Sequence, residues 1–327
     1  MDVCLLTRDG ELRVPRQLNA SPEAWRHTIA PERDALAMAV EWMCAWYGLA
    51  DLGAQEGIPF GLGHALSMTA SHGGQTQNAK RDAPKMAVWL RGGMLPQAYG
   101  YPAERRATRD LLRRRMSLLR QRAALLAHGH NTTRQYNRPE SGHKRASRAP
   151  RTGGADRFPE PRVRKTVDVA LQWIDSDDAR LRKVELSLVE LAKHHEVQTV
   201  YRLRSMPGVG KLRALGLLDA SHASTRVPRG QACVSSARLV QGPREAAGKR
   251  AGPGGPKSGN VPRQWAFSEA AGLFLRNHPR GQAHLAKLAR RPGNAKALSI
   301  LAQHLSRAVS CMRKRHEAVD MHTLLAT

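Results

Sequence analysis

Apolar and polar positions alternate irregularly over the first hundred residues and settle into a helical period after residue 103. Val3 to Leu6, the turn Thr7 to Gly10, and Glu11 to Leu18 predict a hairpin closed at an Asp-Gly pair. Ser21-Pro22-Glu23 has the makings of a helix start, with Ser as the cap and Pro at the first helical position. Ala35 to Val40 is a short apolar run that ends in Glu41, and a Trp-containing helical stretch follows to about Ala54. Ile58 to Leu62, bounded by Gly57 and Gly63, predicts another buried strand. A further helix is expected to open at Asp82, with Pro84 tolerated in its first turn. Strand and helix signals in this order predict an α/β unit.

From residue 103 to about 127 the chain predicts one long helix. Leu112, Met116, Leu119, Ala123 and Leu126 keep the 4-3-4-3 spacing of a coiled-coil seam. Arginines crowd the same segment, among them Arg113, Arg114 and Arg115. Arg138 to Pro161, rich in Pro, Gly, Arg and Ser, predicts a flexible linker. A second long helix is expected from about 163 to 196, with a heptad through Ile174, Asp177, Leu181, Val184, Leu188 and Leu191. Two such helices can pair as an antiparallel hairpin or across a dimer. The remainder reads as helical, with a Gly-rich insertion at Gly242 to Gly259 and a last helix presenting Leu298, Leu301, Leu305, Ala308 and Met312.

Composition narrows the function classes. A chain of 327 residues that is 41% hydrophobic can bury a real core, and 5% aromatics fit an aromatic stacking platform poorly. No apolar run is long enough for a membrane span, and Met1 to Cys4 has no basic stretch ahead of an apolar one, so no secretory signal is expected. Cys4, Cys44, Cys233 and Cys311 are spaced too widely for a zinc knuckle or a disulfide framework, which predicts four reduced thiols in a cytoplasm. The net charge is +26, unevenly spread. Residues 1–102 carry 9 basic and 10 acidic side chains, 103–165 carry 18 and 5, and 166–327 carry 26 and 12. A near-neutral third followed by a strongly basic remainder predicts a polyanion partner, because cations that displace counterions from phosphates gain affinity without reading sequence. The bland alternative is a solvated basic surface.

Ser205-Met206-Pro207-Gly208-Val209-Gly210-Lys211 lies between a helix and the apolar helical run Leu212 to Leu218. This is the pattern of a helix-hairpin-helix, whose glycines let backbone approach a phosphate and whose second helix begins with unsatisfied amides. A plain helix–helix turn is the alternative. Glu41 at a strand end and Asp82 at a helix start could converge on Mg²⁺, although an Asp in that place also serves as a simple cap. Gly61-Leu62-Gly63 lacks the third glycine of a dinucleotide loop, and His194-His195-Glu196 lacks the spacing of a zinc protease. Ser235, Ser236 and Ser258 have no adjacent base and read as cap or turn residues.

Ala39-Val40-Glu41, Gly57 to Phe60, Asn78 to Asp82, Arg106 to Arg113, Ser205 to Lys211, Ala247 to Arg250 and Lys257 to Asn260 together resemble the DEDD-type insertion-sequence transposases, the IS-one-ten family. The resemblance covers nearly the whole chain. It implies a RuvC/RNase H-like α/β domain over 1–102, a coiled-coil connector over 103–200 with a basic linker at 138–162, and a mostly α transposase domain over 201–327 with the helix-hairpin-helix. It further implies four acids holding Mg²⁺, a serine nucleophile, DNA and a structured guide RNA as partners, homo-oligomers through the coiled coil, and a cytoplasmic, nucleoid-associated protein. Gly208, Gly210, Lys211, Arg113, Arg114, Arg115, Lys249 and Arg250 are the expected nucleic-acid contacts. By the same resemblance the first strand with its Asp is missing, Glu41 and Asp82 are the acids that remain, Ala79 takes the place of a lost Asp, and Ala246 that of the serine. Impaired catalysis is therefore expected. The alternatives are a non-catalytic nucleic-acid-binding remnant or regulator of the element, and a start site placed downstream of the true one.

Overall fold

The computed structural model describes residues 2–42, 46–65, 67–68, 79–138, 153–193, 196–220, 229–240, 243–246, 249–253, 259–276, 278–291 and 293–326, in two compact units, Met1–Arg106 and Ala107–Thr327. In the first unit β1 (Asp2–Leu6) and β2 (Leu12–Gln17) form the expected antiparallel hairpin, with Leu5 opposite Val14. Gly10 closes the turn at φ +96°, where its N–H donates to the Thr7 carbonyl. Helix α1 (Pro22–Ile29) starts as its sequence indicates: the Ser21 hydroxyl accepts the Ala24 N–H at 3.2 Å. Strand β3 (Met38–Glu41) runs parallel to β4 (Phe60–Gly63), with Glu41 opposite Gly63. Parallel strands need a crossover, and α2 (Trp46–Gln55) supplies it.

Two expectations change here. Among the described residues the four strands pair as two separate two-stranded sheets rather than as one α/β sheet. Helix α3 spans Ala79–Arg91, so Asp82 sits in its first turn rather than at its cap, and Pro84 lies inside the helix. An acid in the first turn still gains from the helix dipole. The buried apolar residues of this unit fall into three clusters, around Trp25 and Met38, around Trp46 and Tyr101, and around Met68 and Leu95. Arg106 fastens the second: it donates to the Tyr101 carbonyl (2.9 Å), pairs with Asp51 (2.6 Å) and lies 4.9 Å from the Trp46 ring centroid.

Helix α4 covers Ala103–Gln135 and α5 covers Pro161–Leu191. Arg115 bonds Glu185 (2.7 Å) and Arg122 bonds Asp178 (2.6 Å), so a step of seven forward on α4 is a step of seven backward on α5. The pair is an antiparallel hairpin within one chain. At its tip Tyr136 meets the buried Phe158 edge-on. The α5 stripe is as read, with Val167, Ile174, Leu181 and Leu188 buried, and with them Asp177. On α4 Thr108, Leu118 and Thr132 are buried one position before the expected stripe, Arg109 and Thr133 are buried in its register, and Ala123 is exposed. Charged Arg115 and Arg122 hold the positions that a hydrophobic count assigns to surface. The linker residues 139–152 lie outside the described residues.

The rest of the second unit is α6 (Val197–Arg204), α7 (Lys211–Ala220), α8 (Gly230–Ser236), α9 (Val261–Phe274), α10 (Pro279–Ala289), α11 (Asn294–Arg315) and α12 (Met321–Ala326). They share one continuous core, with Leu203, Leu215, Leu218, Phe267, Phe274, Leu301 and Leu305 all but fully buried. The Gly-rich insertion contains a hairpin that the sequence reading missed, β5 (Pro243–Ala246) against β6 (Lys249–Pro253). No helix among the described residues is long and apolar enough to cross a membrane.

Candidate nucleic-acid interface

The α6–α7 turn is held from below by its apolar residues. Leu203, Met206 and Val209 are buried in the core, and the Ser205 hydroxyl donates to the Arg202 carbonyl at 2.7 Å as α6 ends. Pro207 and Gly208 then reverse the chain, Gly208 at φ +85°. A Cβ on Gly208 would stand 2.4 Å from the Ala270 carbonyl oxygen and 2.8 Å from the Phe274 nitrogen. Gly208 is therefore the point where the turn rests against α9, and its missing side chain makes room for protein backbone. Arg213 latches the turn from α7, donating to the Gly208 carbonyl (3.3 Å) and to Glu269 on α9 (2.9 Å).

Gly210 differs. It is exposed, its carbonyl accepts the Ala214 N–H as α7 begins, and the nearest atom to an added Cβ is the Arg213 guanidinium at 3.7 Å. Lys211 beside it is exposed too. The first amides of a helix have no intrahelical acceptor, so Gly210 and Lys211 present donors and a full positive charge to solvent. On α6 the ring of Tyr201 is 61% exposed with the Arg204 guanidinium 5.8 Å from its centroid. The sequence reading passed over that pair; an aromatic three residues before an arginine on a helix was its only signal.

The other expected contacts divide. Arg113 and Arg114 are exposed on α4, while Arg115 is committed to Glu185 with its side chain 16% exposed, so it serves the hairpin. Lys249 and Arg250 lie on β6, where Lys249 is the register partner of Ala246 and Arg250 that of Glu245. The position expected for the serine thus stands at the end of a hairpin, next to a basic pair. Ser236 donates to the Cys233 carbonyl at 2.9 Å and accepts from the buried guanidinium of Arg263, which also bonds the Ala220 carbonyl. Those bonds tie α8 to α9 and leave Ser236 a structural hydroxyl. Ser258, His194 and His195 lie outside the described residues.

Glu41 is the last residue of β3, and Asp82 is on α3, a helix that packs against β3. Ala79 begins that helix. Among the described residues no group of three or more His, Cys, Asp or Glu gathers to hold a metal. Cys4, Cys233 and Cys311 are free thiols. Elsewhere, His284 on α10 and His304 on α11 face each other with centroids 5.7 Å apart, and burial holds both imidazoles below their ordinary pKa.

From α6 into α10 the chain is similar to transposases. The matching stretch is residues 200–286, and the family is described as the Transposase IS116/IS110/IS902 family. No curated protein matches the chain.

Proposed function

We propose that the protein is an insertion-sequence transposase by descent that still grips nucleic acid and has lost most of its recombination chemistry. The observation that carries this is the match over residues 200–286, which takes in both the exposed Gly210–Lys211 start of α7 and the β5–β6 hairpin bearing Ala246. Its N-terminal unit derives from a RuvC-like domain.

In this reading phosphates of the element's DNA, and of a structured guide RNA, meet Gly210, Lys211, Arg113, Arg114, Lys249 and Arg250. Backbone donors position the strand, and the cations add affinity that carries no sequence information. Glu41 and Asp82 would hold Mg²⁺, which supplies Lewis acidity at a phosphodiester. Ala79 brings no third carboxylate, and Ala246 has no oxygen with which to attack phosphorus. A non-catalytic regulator that occupies the element's nucleic acid follows from the same residues. The test is the full-length protein with Mg²⁺, element ends and cognate RNA. A nucleoprotein complex is expected, with no covalent adduct and no recombinant product. Adding Ala79→Asp and Ala246→Ser together should bring back detectable adduct if decay is confined to these positions. Adduct formation by the unmodified chain would contradict the assignment of Ala246.

A further inference from the structure

A polar cleft of about 230 Å³ opens between α6 and the last turn of α11. Leu203 and Met312 floor it and belong to the core, so its base is rigid. Its walls are Thr199 and Arg202 from α6, Arg313 from α11, and His316, which ends α11 in the left-handed conformation at φ 56°. The walls are tied to each other. The Ser205 hydroxyl at the end of α6 accepts the Val319 N–H at 3.2 Å, which pins the segment after His316 to α6.

Arg202 reaches across the cleft, its Nη1 3.3 Å from His316 Nδ1. A guanidinium has donors only, so this contact places a lone pair on Nδ1 and the ring proton on Nε2. Among the described residues no carboxylate lies within ion-pairing distance of Arg202. A second guanidinium, Arg313, lines the same small space. Two guanidiniums, an imidazole and a hydroxyl converging on a rigid polar hollow are the donor set of an oxyanion site. The cleft opens to solvent and has room for a phosphate with several waters.

We propose that this cleft seats one backbone phosphate of the bound nucleic acid. The inference rests on the nucleic-acid reading above and adds to it a contact on a different side chain set from the Gly210–Lys211 start of α7. Thr199 and Arg202 sit at i and i+3 on α6 and donate together, and Arg202 turns from His316 Nδ1 to the phosphate oxygens. Among the described residues that line the cleft, Glu196 is the acid. Its charge opposes the ligand and sets the sign of one test.

The experiment measures affinity for a generic duplex as a function of salt with three variants of the full chain. Arg202→Gln should weaken binding about three- to tenfold at physiological salt and lower the slope of log K against log salt by about one. Glu196→Gln should strengthen binding. Arg162→Gln, an exposed cation on α5, measures the general effect of removing one charge. In parallel, inorganic phosphate is titrated while the His316 ring signals are followed by NMR. A saturable shift is expected in the wild type and none in Arg202→Gln. If Arg202→Gln behaves as Arg162→Gln and Glu196→Gln brings no gain, the cleft is no phosphate seat even though the protein binds DNA. If Arg202→Gln does not fold, Glu196→Gln and the wild-type titration decide alone. If no duplex or RNA binds at all, the nucleic-acid reading falls; the phosphate titration then separates a site for free phosphate, by a saturable shift, from no site, by its absence.

Discussion

The two units bury their apolar residues in different ways. In Met1–Arg106 they fall into three clusters, the largest built on Trp25, Ile29, Met38, Leu52 and Ile58. In Ala107–Thr327 α6, α7, α9 and α11 close over one continuous core. Glu41 and Asp82 lie in the first unit, and the α6–α7 turn lies in the second. Substitution of catalytic carboxylates and a hydroxyl leaves a core intact, whereas the turn is built into its core through Leu203, Met206 and Val209. On the proposed function, substitutions at those acids would change the chemistry without touching the core that carries the turn.

The largest expected effect separates two glycines of the same backbone conformation. Gly208→Val must place a side chain 2.4 Å from the Ala270 oxygen at φ +85°, and should cost more than about 4 kcal/mol, unfolding the second unit. Gly57→Ala, at φ +68° with open space around it, should cost only the left-handed penalty of about 1–2 kcal/mol. Thermal melts of the two variants read the contrast, and equal losses would mean that the turn does not rest on α9. Next in size, Phe267→Ala in the continuous core should cost about 3–5 kcal/mol. Ile58→Ala, at the edge of a five-residue cluster, should lie near the lower end of the ~2–5 kcal/mol range for such truncations.

Acid should weaken the second unit selectively. His284 and His304 have folded pKa values held below the ordinary imidazole value, in both cases first by burial. The folded state therefore favours the neutral rings and the unfolded chain binds more protons. Their contribution is full above the ordinary imidazole range, falls as pH drops through it, and levels only below the folded values. Denaturant midpoints of the wild type should decline between about pH 7 and pH 5. His304→Leu should flatten that decline, and an unchanged slope would remove the pair as its cause.

The smallest effect concerns the hairpin. Asp177 is 2% exposed at a stripe position of α5, its Oδ2 without a hydrogen-bond partner and its Oδ1 3.4 Å from the exposed Arg180. Asp177→Leu restores the heptad and should stabilise the hairpin by about 1 kcal/mol or leave it unchanged. A loss of more than that would show a partner for the carboxylate beyond Arg180.

What was legible in the sequence follows the range of the forces involved. The Asp-Gly hairpin, the Ser21-Pro22 start and the α5 heptad are fixed by neighbours within a few residues, and they stand as read. The α4 face departs from the expected stripe where Arg115 and Arg122 turn inward, and their partners, Glu185 and Asp178, are more than fifty residues away. Strands β5 and β6 are short and contain Pro and Gly, so no alternation announces them. The Pro-Gly-x-Gly pattern located the α6–α7 turn. Which glycine faces inward depends on α9, some sixty residues along the chain, and no local pattern carries that. The Arg202–His316 contact spans 114 residues and was invisible for the same reason.

The grip on nucleic acid is tested most directly by one salt titration of affinity for a generic duplex, run on the full-length wild type and on Gly210→Val. A Cβ at Gly210 meets nothing nearer than 3.7 Å, so the variant should stay folded, with a helix-cap loss of about 1 kcal/mol, and bind every sequence more weakly by a similar factor. With six or more phosphate contacts the wild-type affinity should fall about a thousandfold or more between 50 and 200 mM salt. An affinity that barely changes over that range, or a folded Gly210→Val that binds as tightly as the wild type, would contradict an electrostatic grip centred on the start of α7.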